Sequence, residues 1–265
     1  MKKKKEKNKN LSPIPYCLIP FIFFLLISCS GKDKFPSDTT PPTKPILIQH
    51  LGVIGDDDWL TDENNGIDSV SEEDWIRLQW DRLIDNDLKI IRIYRFAKDF
   101  QQTPVKVDSL AWNQTQYFDR LTPASIGDFS NIEIDWHYFI RAVDLSNNFT
   151  DSDTVSFRLI QKPILEYPDD GTTFEDSSDI IFQWQKQGDS TRMRVLLFDD
   201  QTGQLIWKYD EYIFIGDILF EKQYDGEPLQ EGTYTWRVDS RGLLDIDGNY
   251  YSGSKSRQRK IVIIR

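Results

Sequence analysis

From residue 44 onward the apolar residues fall in runs of four to eight, with turn residues between them. Long segments with a helical period are missing. That is the pattern of an all-β chain. The alternation is plain in 75–80 (WIRLQW), where Ile76, Leu78 and Trp80 share one face and Trp75, Arg77 and Gln79 the other. The same reading predicts strands at 88–96 (LKIIRIYRF), 105–107 (VKV), 136–144 (WHYFIRAVD) and 154–159 (TVSFRL). The second half repeats the plan. KPIL opens it at 162–165, IIFQW (180–184) echoes IRLQW, RMRVLLFD (192–199) echoes IRIYRF, GTYTWRVDSRG (232–242) echoes WHYFIRAVD, and RKIVIIR supplies the last strand. Trp80 and Trp184, at matching places in the two halves, lie 104 positions apart, about one sandwich domain.

Residues 1–43 break this pattern. Residues 1–10 carry six lysines against Glu6 alone. An apolar stretch follows, interrupted by Pro13, Pro15 and Pro20, and its unbroken part, 21–27, is far too short to cross a bilayer as a helix. A basic start, a short apolar run and small residues behind it make an export signal. Leu26-Ile27-Ser28-Cys29 resembles the bacterial lipobox, whose cysteine receives a diacylglycerol before cleavage. The resemblance implies that 1–28 is a lipoprotein signal peptide and that Cys29 becomes the lipidated first residue. An ordinary signal peptide or an N-terminal membrane anchor is the alternative. Several acyl chains on one residue anchor stably where a single chain does not. Residues 29–43, polar and rich in proline, read as a flexible tether. The expected location is the bacterial cell envelope, lipid-anchored in the outer membrane or on the cell surface. The other cysteine, Cys17, falls inside the signal, so the exported chain has no internal disulfide.

The order DTTPPTKP, IRLQW, IRIYR and YFIRAVDLSNNFTDSDTV, spanning roughly 41–161, resembles a fibronectin type III domain. The resemblance implies an antiparallel β-sandwich, with Trp80 in the core on strand B and with Tyr138, Ile140 and Ala142 pointing inward on strand F. Asp144 to Asn148 would form the F–G turn, and Tyr138 a tyrosine corner bonded to nearby backbone. Residues 50–72 are much longer than the A–B connection of that family. The second half looks like a more divergent fibronectin III or immunoglobulin-like sandwich. The expected domains are therefore 44–161 and 162–265, joined tightly in tandem.

Charge narrows the function. Removing residues 1–28 leaves 26 basic against 42 acidic residues. So acidic a chain is a poor partner for nucleic acid or for an anionic membrane face. The resemblance implies a non-catalytic protein-interaction, scaffolding or spacer role toward an envelope protein, with a surface carbohydrate-binding lipoprotein that takes a polysaccharide as the alternative. Nothing argues for an enzyme: His50 and His137 are the only histidines, and GxSxG, HExxH and P-loop motifs are absent. His137, between Trp136 and Tyr138, should face away from the core. No cofactor is expected, with calcium as the one possibility. Asp56, Asp57, Asp58 and Asp62 in the long insertion, and Asp245, Asp247 and Asn249 in a DxDGN turn, offer closely spaced hard oxygens. The second group also reads as an ordinary turn, because Asp, Asn and Gly tolerate left-handed backbone. Trp59, Trp112 and Trp207 sit among polar neighbours and are the candidate ligand contacts, since exposed aromatics stack on sugars and anchor interfaces. Asp38-Thr39-Thr40, Asp68-Ser69-Val70, Asp108-Ser109-Leu110 and Asp153-Thr154-Val155 resemble Asp-Ser/Thr-apolar O-glycosylation sites of some exported bacterial proteins.

Overall fold

The computed structural model describes residues 38–48, 66–97, 101–120, 134–214, 216–242 and 252–264. Cys29, Trp59, Asp56, Asp57, Asp58, Asp62, Asp245, Asp247 and Asn249 lie outside them. Among the described residues, seventeen strands follow one another: β1 (Ile67–Ser69), β2 (Ile76–Gln79), β3 (Leu88–Ala97), β4 (Gln101–Ala111), β5 (Gln116–Asp119), β6 (Asp135–Asp144), β7 (Phe149–Asp151), β8 (Val155–Leu159), β9 (Ile164–Tyr167), β10 (Thr172–Phe174), β11 (Ile181–Gln185), β12 (Arg192–Asp199), β13 (Leu205–Tyr212), β14 (Leu219–Gln223), β15 (Gly232–Arg241), β16 (Ser252–Lys255) and β17 (Arg259–Ile263). One 3-10 turn, Ser177–Asp179, is the helical element among the described residues. None of their helices is long and apolar enough to cross a membrane.

The strands form two β-sandwiches of fibronectin III or immunoglobulin-like type, antiparallel within each except that β10 pairs β17 in parallel. In the first, one sheet runs β1-β2-β5 and the other β4-β3-β6-β8, with β7 also on β6. In the second, β9-β11-β14 faces a sheet in which β12 pairs β13 and β15, and β15 pairs both β16 and β17. The alternation of the sequence is the alternation of burial. In β6, Trp136, Tyr138, Ile140 and Ala142 are buried while His137, Phe139 and Arg141 stay half-exposed. Each sandwich has its own apolar core. Trp80, Trp136, Ile91 and Ile93 are fully enclosed in the first, and Trp184, Trp236, Phe182 and Val195 in the second. The core positions Trp80 and Trp184 take the places the sequence assigns them.

The long insertion is not a connection between the first two strands. Backbone bonds run from Asp81 N to Ile46 O, from Ile48 N to Gln79 O, and from Gln79 N to Gly66 O. β1 then continues along the same edge of β2, with Ile67 opposite Leu78. Residues 46–48 and 66–69 are thus one strand, interrupted by residues 49–65. Gly66 closes the gap with φ at +76°. A Cβ there would come within 2.4 Å of Gln79 O and 2.8 Å of Leu47 Cβ. The expectation of a 50–72 connection fails because the ladder register resumes at Gly66, which no hydrophobic pattern records.

The last strand of each sandwich is broken in the same way. Ser152 donates its N–H to Ile140 O, while its hydroxyl accepts from Ile140 N. Ser256 repeats both bonds with Val238. A side-chain oxygen replaces one rung of the ladder, so β7/β8 and β16/β17 each read as two short strands rather than one.

Candidate functional site

One pole of the first sandwich gathers four stretches of chain: residues 38–43, the 81–87 connection, the 112–115 turn and the 145–148 turn. Polar contacts tie the first, second and fourth of these together. Asp85 Oδ1 accepts from both the N–H and the hydroxyl of Thr43. Leu145 N donates to Asp87 O, and Lys89 Nζ to Asn147 Oδ1. Asn148 donates its amide to the Asp38 carbonyl and to Asp144 Oδ2, and its N–H to Asp144 Oδ1. Asn147 takes the left-handed conformation, φ +69°, that a tight turn between two strands demands. The 144–148 turn is where the resemblance places it.

A cleft of about 440 Å³ opens at this pole between the 81–87 connection and Trp112. Trp112 is 41% exposed and Ile84 82% exposed, so both offer apolar surface to solvent. Arg82, Asp85 and Asn86 line the same cleft with polar groups. Asp85 Oδ2 is buried without a hydrogen-bond partner. A carboxylate oxygen in that state is an acceptor waiting for a donor, because a buried polar atom left unpaired costs about 1–3 kcal/mol. Beside the cleft, one carboxylate oxygen from each of Asp38, Asp87 and Asp144 falls within 4.8 Å of the others. Asp144 is fully buried and Asp38 exposed. The backbone N–H of Thr40, bonded to Asp38, holds the Asp38 carboxyl below its ordinary pKa. These three carboxylates could hold a hard divalent cation, though three oxygens are well short of the six to eight calcium prefers.

The other tryptophan within reach tells a different story. Trp207, expected as an exposed ligand contact, stacks on the buried Phe182 at 5.4 Å and on Tyr209 at 6.3 Å. Its indole N–H donates to Asp225 Oδ1. Half-buried, it caps the edge of the second core, because β13 is an edge strand and the ring packs on the core beneath it. The outer face of the first sandwich also carries aromatics: Tyr94 stacks on Phe139 at 4.8 Å with planes 4° apart, and Phe96 on His137 at 4.9 Å. Arg141 lies over Phe149 at 4.0 Å and over Tyr94 at 5.0 Å. These ring faces are taken by each other and by the guanidinium. His137 points away from the core, as the alternation requires.

Two further sequence expectations meet the structure here. Tyr138 donates its hydroxyl to Asp119 Oδ2, not to backbone. Arg95 Nη1 reaches the same oxygen at 2.7 Å, so the buried group ties the two sheets together. Burial first, then the Asp119 charge, pushes the Tyr138 hydroxyl well above its ordinary pKa and keeps it a donor. The tyrosine corner belongs instead to Tyr234, whose hydroxyl donates to the Gln230 carbonyl. Of the candidate glycosylation sites, Ser69 is 3% exposed and enclosed in the fold. Thr39 and Thr154 are exposed.

No family model and no curated protein matches this chain. Among solved structures, the FN1–FN3 domains of chicken CNTN1 align over 85% of this chain and 69% of theirs, at 8% identity and a TM-score of 0.34. A likeness at that level supports nothing about function, and the fold stands on the ladders described above.

Proposed function

We propose that this chain is a non-catalytic lipoprotein of the bacterial cell envelope, anchored through Cys29, whose sandwiches serve as a protein-interaction and scaffolding module. The observation that carries this reading is the pole of the first sandwich: an exposed tryptophan, an unspent carboxylate oxygen and a gathering of loops around one cleft. Loops on a rigid scaffold are where recognition is usually placed. The pole is acidic, with Asp38, Asp85, Asp87 and Asp144 against Arg82 and Lys89. The partner segment that fits it carries a basic side chain to meet Asp85 and an apolar one to meet Trp112. The non-catalytic reading is supported by the sequence, which has two histidines and no GxSxG, HExxH or P-loop motif.

A photo-crosslinking residue at position 84 of the full chain, in intact native cells, tests this. Reproducible capture of one or two envelope proteins, lost with Trp112→Ala and with Asp85→Asn, supports the reading. Capture that both substitutions leave unchanged overturns it.

The second reading is a carbohydrate-binding surface lipoprotein, and Trp112 is the observation that favours it. The stacked rings on the outer sheet face weigh against it, because sugars need free ring faces. A polysaccharide that changes tryptophan fluorescence in the wild type but not in Trp112→Ala would establish this second reading. Calcium, assigned to residues outside the described chain, has its own test. A higher melting midpoint with calcium than with chelator supports it, and identical midpoints remove it.

A further inference from the structure

Two sandwiches joined by four or five residues would ordinarily swing about the joint. Here the joint is occupied. β16, the first half of the last strand of the second sandwich, pairs on one side with β15 and on the other with β8 of the first sandwich. The second ladder is parallel, with Ser252 opposite Arg158 and Gly253 opposite Leu159. Ile160 N donates to Gly253 O, and the Ser254 hydroxyl to Gln161 O. Gly253 holds β16 close to β15, where a Cβ would meet Ser240 O at 2.8 Å; toward the first sandwich the same Cβ would meet only Phe157 Cζ, at 3.9 Å. One sheet path therefore runs without interruption from β4 of the first sandwich to β10 of the second.

Charge crosses the border as well. Lys255 Nζ donates to Asp68 Oδ2 at 2.6 Å, and the two side chains are 7% and 5% exposed. Arg77 approaches the same oxygen at 3.7 Å. In the joint itself, Lys162 Nζ donates to the carbonyls of Val70, Ser71 and Glu73 at 2.7, 3.1 and 2.8 Å. An ammonium has three N–H groups, and each finds an oxygen of the other sandwich. Burial holds the Lys162 pKa below the ordinary lysine value, against the pull of Asp74, Glu72 and Glu73.

We propose that Lys162 and Lys255 lock the two sandwiches into one rigid body, with no hinge between residues 159 and 163. Both lysines sit in the second sandwich or the joint, and both spend their donors on the first. Opening the joint would return both ammonium groups to water, so what holds it closed is directional: three Lys162 bonds, the Lys255–Asp68 pair and the β8–β16 ladder made together. The second sandwich, moreover, relies on β8 to cover the free edge of β16. This inference concerns the joint alone and stands whether or not the pole of the first sandwich binds a partner.

Residual dipolar couplings on the full chain read the lock directly. The wild type should fit a single alignment tensor across both sandwiches. The double variant Lys162→Met/Lys255→Met should need two tensors of different magnitude, while the tryptophan near-ultraviolet dichroism of both cores persists. Two tensors in the wild type would overturn the rigid body. One tensor in a folded double variant would overturn the assignment to these lysines. If the double variant fails to fold, the single variant Lys162→Gln serves the same comparison, and the wild-type measurement stands without it.

Discussion

At the scale of single residues, the polar groups inside the first core matter more than their number suggests. Tyr138 donates its hydroxyl hydrogen bond to Asp119 Oδ2, and Arg95 Nη1 donates to the same oxygen. Tyr138→Phe leaves that buried carboxylate one donor poorer and should lower stability by about 1–3 kcal/mol, measured by urea unfolding. A second residue sets an acid limit. Asp200 accepts from Lys260 Nζ and from the Thr235 hydroxyl, and these bonds hold its folded pKa below 3.8. A carboxylate with a depressed folded value adds stability above its unfolded pKa and loses it as pH falls through the folded one. Asp200→Asn should therefore flatten the fall in stability below about pH 4, as read from acid titrations of the melting midpoint. The Trp residues were only half readable in sequence. Trp80 and Trp184 announce themselves by alternation, whereas Trp207 and Trp112 have equally polar neighbours. Which of those two covers a core depends on the strand beneath it, and a single sequence does not carry that.

Among the elements, those found from sequence are the long apolar-rich strands of the larger sheet. β3 and β6 alternate in burial, β12 and β15 are buried almost throughout, and the bounds of all four fall within a residue or two of the expected ones. The missed strands share a physical cause. β1 (IDS) is buried on both sides with two polar residues in three. β16 (SGSK) has no apolar residue, and it is held by two ladders and one lysine. β13 and β14 lie at sheet edges, where pairing on one side suffices and the pattern relaxes. The repeated serine break in the last strand was equally hidden, because Ser152 and Ser256 look like turn residues. Gly66 is the sharpest test of the split strand. Gly66→Ala should destabilise the fold by at least about 1–2 kcal/mol from the left-handed backbone alone, with the contact on Gln79 O adding to it. A thermal melt equal to wild type would mean that residues 48 and 66 do not meet.

For the molecule as a whole, an unbroken sheet path and two separate cores belong to one compact unit, Asp38–Arg265. The sequence announces two repeats and a short joint but not the strand lent from one to the other, because lending is a tertiary event between residues about a hundred positions apart. A cooperative consequence should be measurable by calorimetry. The full chain should unfold in one transition whose calorimetric and van't Hoff enthalpies agree, despite its two cores. Two resolved transitions would mean that each sandwich melts by itself. The interrupted first strand has a different kind of consequence. Its chain departs at Ile48 and returns at Gly66, and both ends bond the same residue, Gln79, of a single ladder. The junction is in effect a socket. A foreign epitope or a short glycine–serine bridge grafted there should leave the melting midpoint in place, which makes this strand a natural point of sequence turnover and a practical display site.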